Sequence, residues 1–94
     1  MYYAVSCYDK KDSLEIRMAT REKHLAFANA SGGKVVVGGA MIDDAEQMIG
    51  SHLIVEASDR AALDKFLAQD PYAIAGLFER VEIQAMKIAI SNTI

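Results

Sequence analysis

Hydrophobic and polar residues change their spacing several times along this chain, and each change predicts a new element of secondary structure. Residues 2–8 alternate aromatic and small side chains, which is typical of a β-strand. From Asp12, apolar residues recur at helical spacing as far as Gly32 and Gly33, and Asp12 with Glu15 resembles a capping box. This segment is predicted to be an amphipathic helix, whose stripe consists of Leu14, Met18, Arg21, Leu25 and Ala28.

The second half of the chain continues the exchange of strand and helix patterns. The β-rich runs "KVVVGGAMID" and "MIGSHLIVEA" are separated by the polar "DAEQ", so they predict an antiparallel hairpin in which Gly38 and Gly39 permit a bulge. Residues 59–69 are predicted to be a helix that is capped by Ser58 or Asp59. An Asp-Pro pair ends this helix, and a short apolar turn leads to a final strand, "ERVEIQAMKIAI".

The predicted element order is βαββαβ. This order is typical of the α+β class and of the ferredoxin-like arrangement, in which an antiparallel sheet carries both helices on one face. The length of 94 residues fits a single domain spanning residues 1–94.

Both faces of the predicted sheet carry apolar side chains. The first strand places Tyr3, Val5 and Cys7 on one face and Tyr2, Ala4, Ser6 and Tyr8 on the other. The last strand places Val81, Ile83 and Ala85 on one face and Met86, Ile88 and Ile90 on the other. Monomeric proteins seldom expose such a patch, so we expect a homodimer in which two sheets stack face to face.

Charge and composition exclude several classes of function. A net charge of -3 and a pI near 5.2 provide no electrostatic footprint for nucleic acid or an anionic membrane. The chain has no leader pattern and no run of 18 apolar residues, so we expect a cytoplasmic protein. Cys7 is the only cysteine, which excludes an intramolecular disulfide and favours a small buried side chain. No metal-ligand spacing or phosphate-binding loop is present, so we expect neither a metal nor a cofactor.

Three side chains that could carry chemistry share one face of the first predicted helix. Arg17, Arg21 and His24 follow at i, i+4 and i+7. They are either ordinary solvated charges or an anion-binding arginine beside a titratable base.

Asp70 and His52 also leave two interpretations open. Asp70 precedes the only proline, and it is either a simple helix stop or a carboxylate that orients His24 and fixes its tautomer. Alternation places His52 on the face that the dimer would cover, which favours an interface histidine over a catalytic one.

At this point the chain resembles the YCII-related, or YciI-like, family. The resemblance is carried by "RMATREKHLAFANASGGKVVVGGAMIDD", "MIGSHLIVEA", "AALDKFLAQDPYAIAGLF" and "VEIQAM". These segments contain, in order, the family's Arg-x-x-His-Leu, its glycine-containing hairpin, Gly-Ser, and Asp-Pro-Tyr. The family often has Gly-Pro in the hairpin, whereas this chain reads Gly39-Ala40.

The resemblance implies a ferredoxin-like fold that dimerises into an α+β barrel similar to muconolactone isomerase. It also implies a His-Asp pair as the active centre, which falls on His24 and Asp70 here. Most of this family has no assigned reaction, and one branch removes halide from a chlorinated hydroxyhydroquinone ring.

These observations support two main functional hypotheses and one weaker one. In the leading hypothesis, a small enzyme without a cofactor performs acid-base chemistry on an unsaturated or aromatic ring compound, as an isomerase, lyase or dehalogenase. His24 and Asp70 would be catalytic, Arg21 would hold an anionic oxygen, and further ligand contacts would come from Arg17, Ser51 and Tyr72. The alternative is a non-catalytic module that binds a small ligand or regulates. RNA binding is the weaker hypothesis, because the third strand lacks the aromatic and basic pattern of an RNA-binding sheet.

Overall fold

The computed structural model describes residues 1–92, which form an α+β fold. In chain order the elements are β1 (Tyr2–Asp9), α1 (Leu14–Asn29), β2 (Val35–Ile42), β3 (Met48–Glu56), α2 (Arg60–Ala68), α3 (Pro71–Ile74) and β4 (Phe78–Met86). The strands make one antiparallel sheet in the order β2-β3-β1-β4. This confirms the predicted ferredoxin-like fold. Within residues 1–92, no helix is long and apolar enough to cross a membrane.

The hydrophobic core lies between one face of the sheet and α2. Alternation along the two central strands buries every second residue, and Leu63 of α2 packs on these with no exposed surface. The strand residues of the core are Tyr3, Val5, Cys7, Leu53 and Val55. The predicted grouping of Tyr3, Val5 and Cys7 on one face of β1 is therefore confirmed, and so is the predicted burial of Cys7.

Helix α1 packs on the sheet through a different face from the one its apolar pattern predicts. Met18 is 51% exposed and Leu14 and Leu25 are each 39% exposed, whereas Arg17 and His24 are buried. The apolar stripe is therefore not the inward face of α1. The physical reason is that both buried side chains have partners elsewhere in the fold, and a paired polar group can be buried without the cost of an unpaired one.

Both helix boundaries near residues 12 and 70 differ from the prediction. Ser13, not Asp12, is the N-cap residue of α1, and Asp12 has a φ of 57°, so the capping box is wrong. Residues 71–74 form the single helical turn α3 at the place where a short apolar turn was predicted. Proline suits this first helical position because its fixed φ matches the helix and its missing N–H would have no partner there.

The hairpin and the last strand also differ from the prediction. The register of β2 against β3 shifts at Val36 and at Ile49, so the predicted bulge at Gly38 and Gly39 is wrong. Gly38 has a packing role instead, because a Cβ atom there would collide with the Leu53 side chain. Strand β4 ends at Met86 rather than at residue 90, because Met86 pairs with the first residue of β1 and no further partner strand remains.

Leu63 of α2 is buried whereas Met18 of α1 is half exposed, so truncation of these two side chains should lower the free energy of unfolding by different amounts. Leu63→Ala is expected to lower the free energy of unfolding by about 2–5 kcal/mol, since it leaves a cavity in the core. Met18→Ala on α1 is expected to change it by less than about 0.5 kcal/mol. Urea denaturation measures both. Equal losses would contradict the orientation of α1 described above.

Candidate active site

A cavity of about 420 Å³ lies between α1 and the hairpin of β2 and β3. We call it the front cavity. Its side on the hairpin is made largely of small or backbone groups, including Gly38, Ala40 and Ser51. Its polar side is formed by α1, which contributes Arg17, Arg21 and His24. The structure therefore brings the three predicted residues of α1 to one cavity.

Asp70 is joined to His24 by a buried hydrogen bond across 46 positions of sequence. His24 Nδ1 lies 2.8 Å from Asp70 Oδ1. The same oxygen accepts the backbone N–H of Tyr72 at 2.9 Å and so caps α3. Asp70 is thus both the residue that begins a helix and the partner of His24, and the two interpretations of its sequence position are compatible.

The Asp70 contact determines which nitrogen of His24 is available for chemistry. An ionised carboxylate only accepts hydrogen bonds, so Nδ1 is the donor and Nε2 carries the free lone pair in the neutral ring. Nε2 has no hydrogen-bond partner in residues 1–92. Every fully buried side-chain nitrogen or oxygen in this part of the chain does have a partner, so Nε2 is not fully buried. Nε2 therefore reaches the accessible surface, at a residue that lines the front cavity.

Tyr72 fixes the plane of the His24 ring. The two ring centroids are 4.1 Å apart, with an angle of 17° between the planes. The Arg17 guanidinium carbon lies 4.7 Å from the Tyr72 centroid, and Phe78 meets the same ring edge-on at 6.0 Å. Burial raises the pKa of Tyr72 although Arg17 and Arg21 oppose the shift, so the phenol keeps its proton at neutral pH.

Arg17 is held by a buried network at the end of β1. Its Nε and Nη2 donate to the two carboxylate oxygens of Asp9 at 2.7 Å and 2.9 Å, and Nη2 also donates to Ser51 Oγ at 2.8 Å. Burial acts to lower the pKa of Arg17, but the hydrogen bonds and charge of Asp9 outweigh it and raise the pKa, so the guanidinium stays charged. Arg17 thereby ties α1 to β1 and β3.

Asp9 is the site residue that the sequence analysis did not single out. It lies directly after a register shift between β1 and β4, and it is 6% exposed at its side chain. A signal was present, because the inward alternation of Tyr3, Val5 and Cys7 reaches Asp9 at its next step. A carboxylate on the inward face of a strand needs a buried cation, and Arg17 supplies it.

Arg21 differs from Arg17 in having no carboxylate partner in the described part of the chain. Its side chain is exposed and lines the front cavity. Its charge opposes the rise in the pKa of Tyr72 that burial causes, as expected for a cation near the phenol. Arg21 is thus available to an anionic group in the cavity.

The remaining candidate residues lie outside the front cavity. Desolvation by burial raises the pKa of Cys7 to about 12, so its thiol stays protonated and is a poor nucleophile. His52 is exposed on the opposite face of the sheet, where its Nδ1 lies 2.9 Å from Ser6 Oγ. Residues 1–92 contain no cluster of three or more His, Cys, Asp and Glu side chains that could hold a metal ion.

Comparison with solved structures gives a neighbour of similar sequence and fold. A 5-chloro-2-hydroxyhydroquinone dehydrochlorinase from Burkholderia phenoliruptrix, in complex with 2,5-dihydroxybenzoquinone, has a TM-score of 0.86 and 30% sequence identity to this chain. The match covers 95% of this chain and 96% of that one.

Sequence comparison gives bacterial relatives that align with this chain over nearly their whole length. The chain is 33% identical to the YciI protein of Escherichia coli over 95 residues, which covers 93% of this chain and 97% of that protein. It is 32% identical to an uncharacterised protein of Haemophilus influenzae with the same coverage. The model of the YCII-related domain matches residues 1–87. On this evidence, the chain belongs to the YCII-related domain family.

Proposed function

We propose that this protein is an enzyme that performs acid-base catalysis on a small unsaturated or aromatic ring compound. The observation that carries the proposal is the 2.8 Å contact between His24 Nδ1 and Asp70 Oδ1, with Nε2 left open at the front cavity. A histidine that needed only to be buried would not require a free nitrogen at a cavity. The chemistry uses these side chains and no cofactor.

In this mechanism His24 moves a proton on the ring. Nε2 removes a proton from a ring carbon or hydroxyl, and the electron pair is delocalised onto a ring oxygen as an enolate or phenolate. His24 then returns the proton at another atom, which isomerises the ring, or the ring expels a leaving group, which completes an elimination. Asp70 stabilises the imidazolium that exists between the two steps.

The other residues of the cavity hold the substrate. Arg21 balances the negative charge on the ring oxygen, because no carboxylate of residues 1–92 neutralises it. Ser51 accepts from Arg17 and so keeps its own O–H for a substrate oxygen. Arg17 contacts the substrate through Nη1, the nitrogen that makes no hydrogen bond to Asp9 or Ser51. Tyr72 packs against the substrate.

The dehydrochlorinase from Burkholderia phenoliruptrix supports this substrate class. That protein is named for its action on a chlorinated hydroxyhydroquinone and was solved with a dihydroxybenzoquinone. We therefore propose hydroxylated rings as the class, with isomerisation, elimination and dehalogenation as the reactions to be tested.

The proposal includes a cytoplasmic homodimer. The sheet face opposite the helices carries Tyr2, Ala4, Tyr8 and Ile54, all only partly buried in a single chain. Stacking two such faces would remove this apolar surface from water.

Removal of the acid-base pair is expected to abolish most of the activity. His24→Gln should lower kcat by roughly 10²–10⁴-fold, because proton transfer loses its carrier. Asp70→Asn should also lower kcat, since the imidazolium loses its counter-charge. The matched control is His52→Gln, across the sheet from the cavity. Turnover of 5-chloro-2-hydroxyhydroquinone and related hydroxylated rings measures the effect.

The same assay distinguishes the enzyme hypothesis from the hypothesis of a non-catalytic binding module. A ring compound that wild type binds at the front cavity and does not convert would favour the module. If wild type converts a ring and His24→Gln converts it at an equal rate, the assignment of His24 is wrong.

Substitution of Arg21 should affect substrate binding more than structure. Arg21→Gln is expected to raise KM roughly 10–100-fold for an anionic ring, because a charge-assisted contact is lost. Lys23→Gln, an exposed change on the same helix, is the control. Equal KM values for the two variants would exclude Arg21 from the site.

The oligomeric state is tested by light scattering coupled to size exclusion. Wild type is expected to show twice the 10.3 kDa of one chain at micromolar concentration. Ile54→Glu on the open sheet face should yield monomer, whereas Ala61→Glu on the exposed side of α2 should not. A wild-type monomer would contradict the stacked dimer.

A further inference from the structure

The Tyr72 side chain is buried beside His24, and packing alone does not explain its hydroxyl group. The residue is 1% exposed. Its ring is covered by the stacked His24 imidazole, the Arg17 guanidinium and the edge of the Phe78 ring. A phenylalanine would make the same ring contacts, and a buried tyrosine hydroxyl ordinarily has a hydrogen-bond partner. The role of the hydroxyl therefore has to be sought in its hydrogen bonding.

The Tyr72 hydroxyl donates to no protein group in residues 1–92. The donors to the Asp9 carboxylate belong to Arg17, and those to Asp70 are the His24 ring and the Tyr72 backbone N–H. Arg17 lies close to the phenol, but a guanidinium only donates hydrogen bonds and cannot take this proton. The phenol proton is therefore free for an acceptor that comes from outside the protein.

The hydroxyl oxygen lies at the front cavity. Every fully buried side-chain oxygen in the described part of the chain has a hydrogen-bond partner, whereas Tyr72 Oη makes no hydrogen bond there, so Oη keeps some accessible surface. Tyr72 lines the front cavity together with His24, Arg21 and Ser51. Because so little of Tyr72 is exposed, its oxygen is a main part of what a molecule in this cavity can touch. The phenol and Nε2 of His24 thus face the same bound molecule.

We propose that Tyr72 is a catalytic residue, whose O–H donates a hydrogen bond to the ring oxygen that becomes negatively charged when His24 removes a proton. The inference rests on the proposed function and adds to it a donor for the enolate or phenolate. The phenol keeps its own proton throughout, so only the hydrogen bond strengthens as charge develops. A donor held in place stabilises a charged oxygen more than a neutral one, which lowers the barrier to proton removal.

The substrates that can use this donor share one feature. They carry an oxygen that is conjugated with the atom from which His24 takes the proton, so that the negative charge reaches the oxygen beside Tyr72. Hydroxylated rings and their keto tautomers have this arrangement, whereas a ring whose only charged group is an isolated carboxylate does not. The donor thus selects, among ring compounds, those that form an enolate or a phenolate.

The phenol also has the protonation state that this role needs. Burial raises the pKa of Tyr72, and the charges of Arg17 and Arg21 oppose this rise without cancelling it. Tyr72 is therefore neutral at neutral pH, and a neutral phenol donates, whereas a tyrosinate would repel a charged oxygen. Neutral tyrosines act in this way in other enzymes that stabilise enolates.

Tyr72→Phe removes the hydroxyl and keeps the ring, so it tests the donor without removing the stacking on His24. With a hydroxylated ring that wild type converts, the variant is expected to lower kcat roughly 10²-fold, the loss typical of one oxyanion donor. KM should change little, because the neutral substrate gains less from the donor than the charged intermediate does. The matched control is Tyr3→Phe, which removes the hydroxyl of another buried tyrosine, one that donates to Met1 Sδ.

A binding measurement tests the same hydrogen bond without catalysis. The probe is p-nitrophenolate, a ring with a charged oxygen, which is titrated calorimetrically into wild type and both variants. Tyr72→Phe is expected to bind it roughly tenfold more weakly, since a hydrogen bond to a charged oxygen is lost, whereas Tyr3→Phe should match wild type. Nitrobenzene lacks that oxygen and should not distinguish Tyr72→Phe from wild type.

Three results would overturn the role of Tyr72. These are a kcat of Tyr72→Phe equal to that of wild type, equal affinity of the two for p-nitrophenolate, and no binding of this probe by wild type. If His24→Gln is inactive while Tyr72→Phe keeps full activity, the proposed function stands and this inference alone fails. If wild type converts no hydroxylated ring, yet its affinity for p-nitrophenolate depends on the Tyr72 hydroxyl, the proposed function fails and the hydrogen bond to a ring oxygen is supported.

Discussion

The fold depends on one constraint: α1 buries Arg17 and His24, and each of these side chains has to meet a partner that lies outside the helix. Arg17 meets Asp9 at the end of β1, and His24 meets Asp70 at the start of α3. Burying these groups without partners would cost several kcal/mol each, so the position of α1 follows from the location of the two carboxylates. A buried ion pair adds little net stability by itself, but it allows few alternative docking positions.

The same constraint produces the site. Because α1 is held at Asp9 and Asp70, the part of its surface that carries Arg21 faces the hairpin across the front cavity, where Gly38 and Ala40 leave space. Asp70 occupies Nδ1 of His24, so the other nitrogen is left for chemistry. Asp70 thus both holds α1 in place and leaves Nε2 of His24 free, which ties stability and proposed function to one contact.

Much of this was predictable from sequence. Strand alternation grouped Tyr3, Val5 and Cys7 on one face of β1, and the changes in the spacing of apolar residues located the four strands and the two longer helices. The inward face of α1 was not predictable from the spacing of apolar residues. This spacing carries no information on the pairing of Arg17 with Asp9, eight positions earlier, which allows the guanidinium to be buried. Asp70 was noticed from the Asp-Pro pair, yet its distance from His24 depends on tertiary structure. The end of β4 was missed because strand length is set by the partner strand.

The tautomer of His24 is the most direct test of the pairing of His24 with Asp70. It is measured from the ring nitrogen chemical shifts of uniformly ¹⁵N-labelled protein, above the pH at which the ring is protonated. His24→Gln assigns the signals against those of His52. We expect a proton on Nδ1 and none on Nε2 in the wild type, and we expect Asp70→Ala to lose this preference. A proton on Nε2 in the wild type, or a tautomer unchanged by the loss of Asp70, would contradict it.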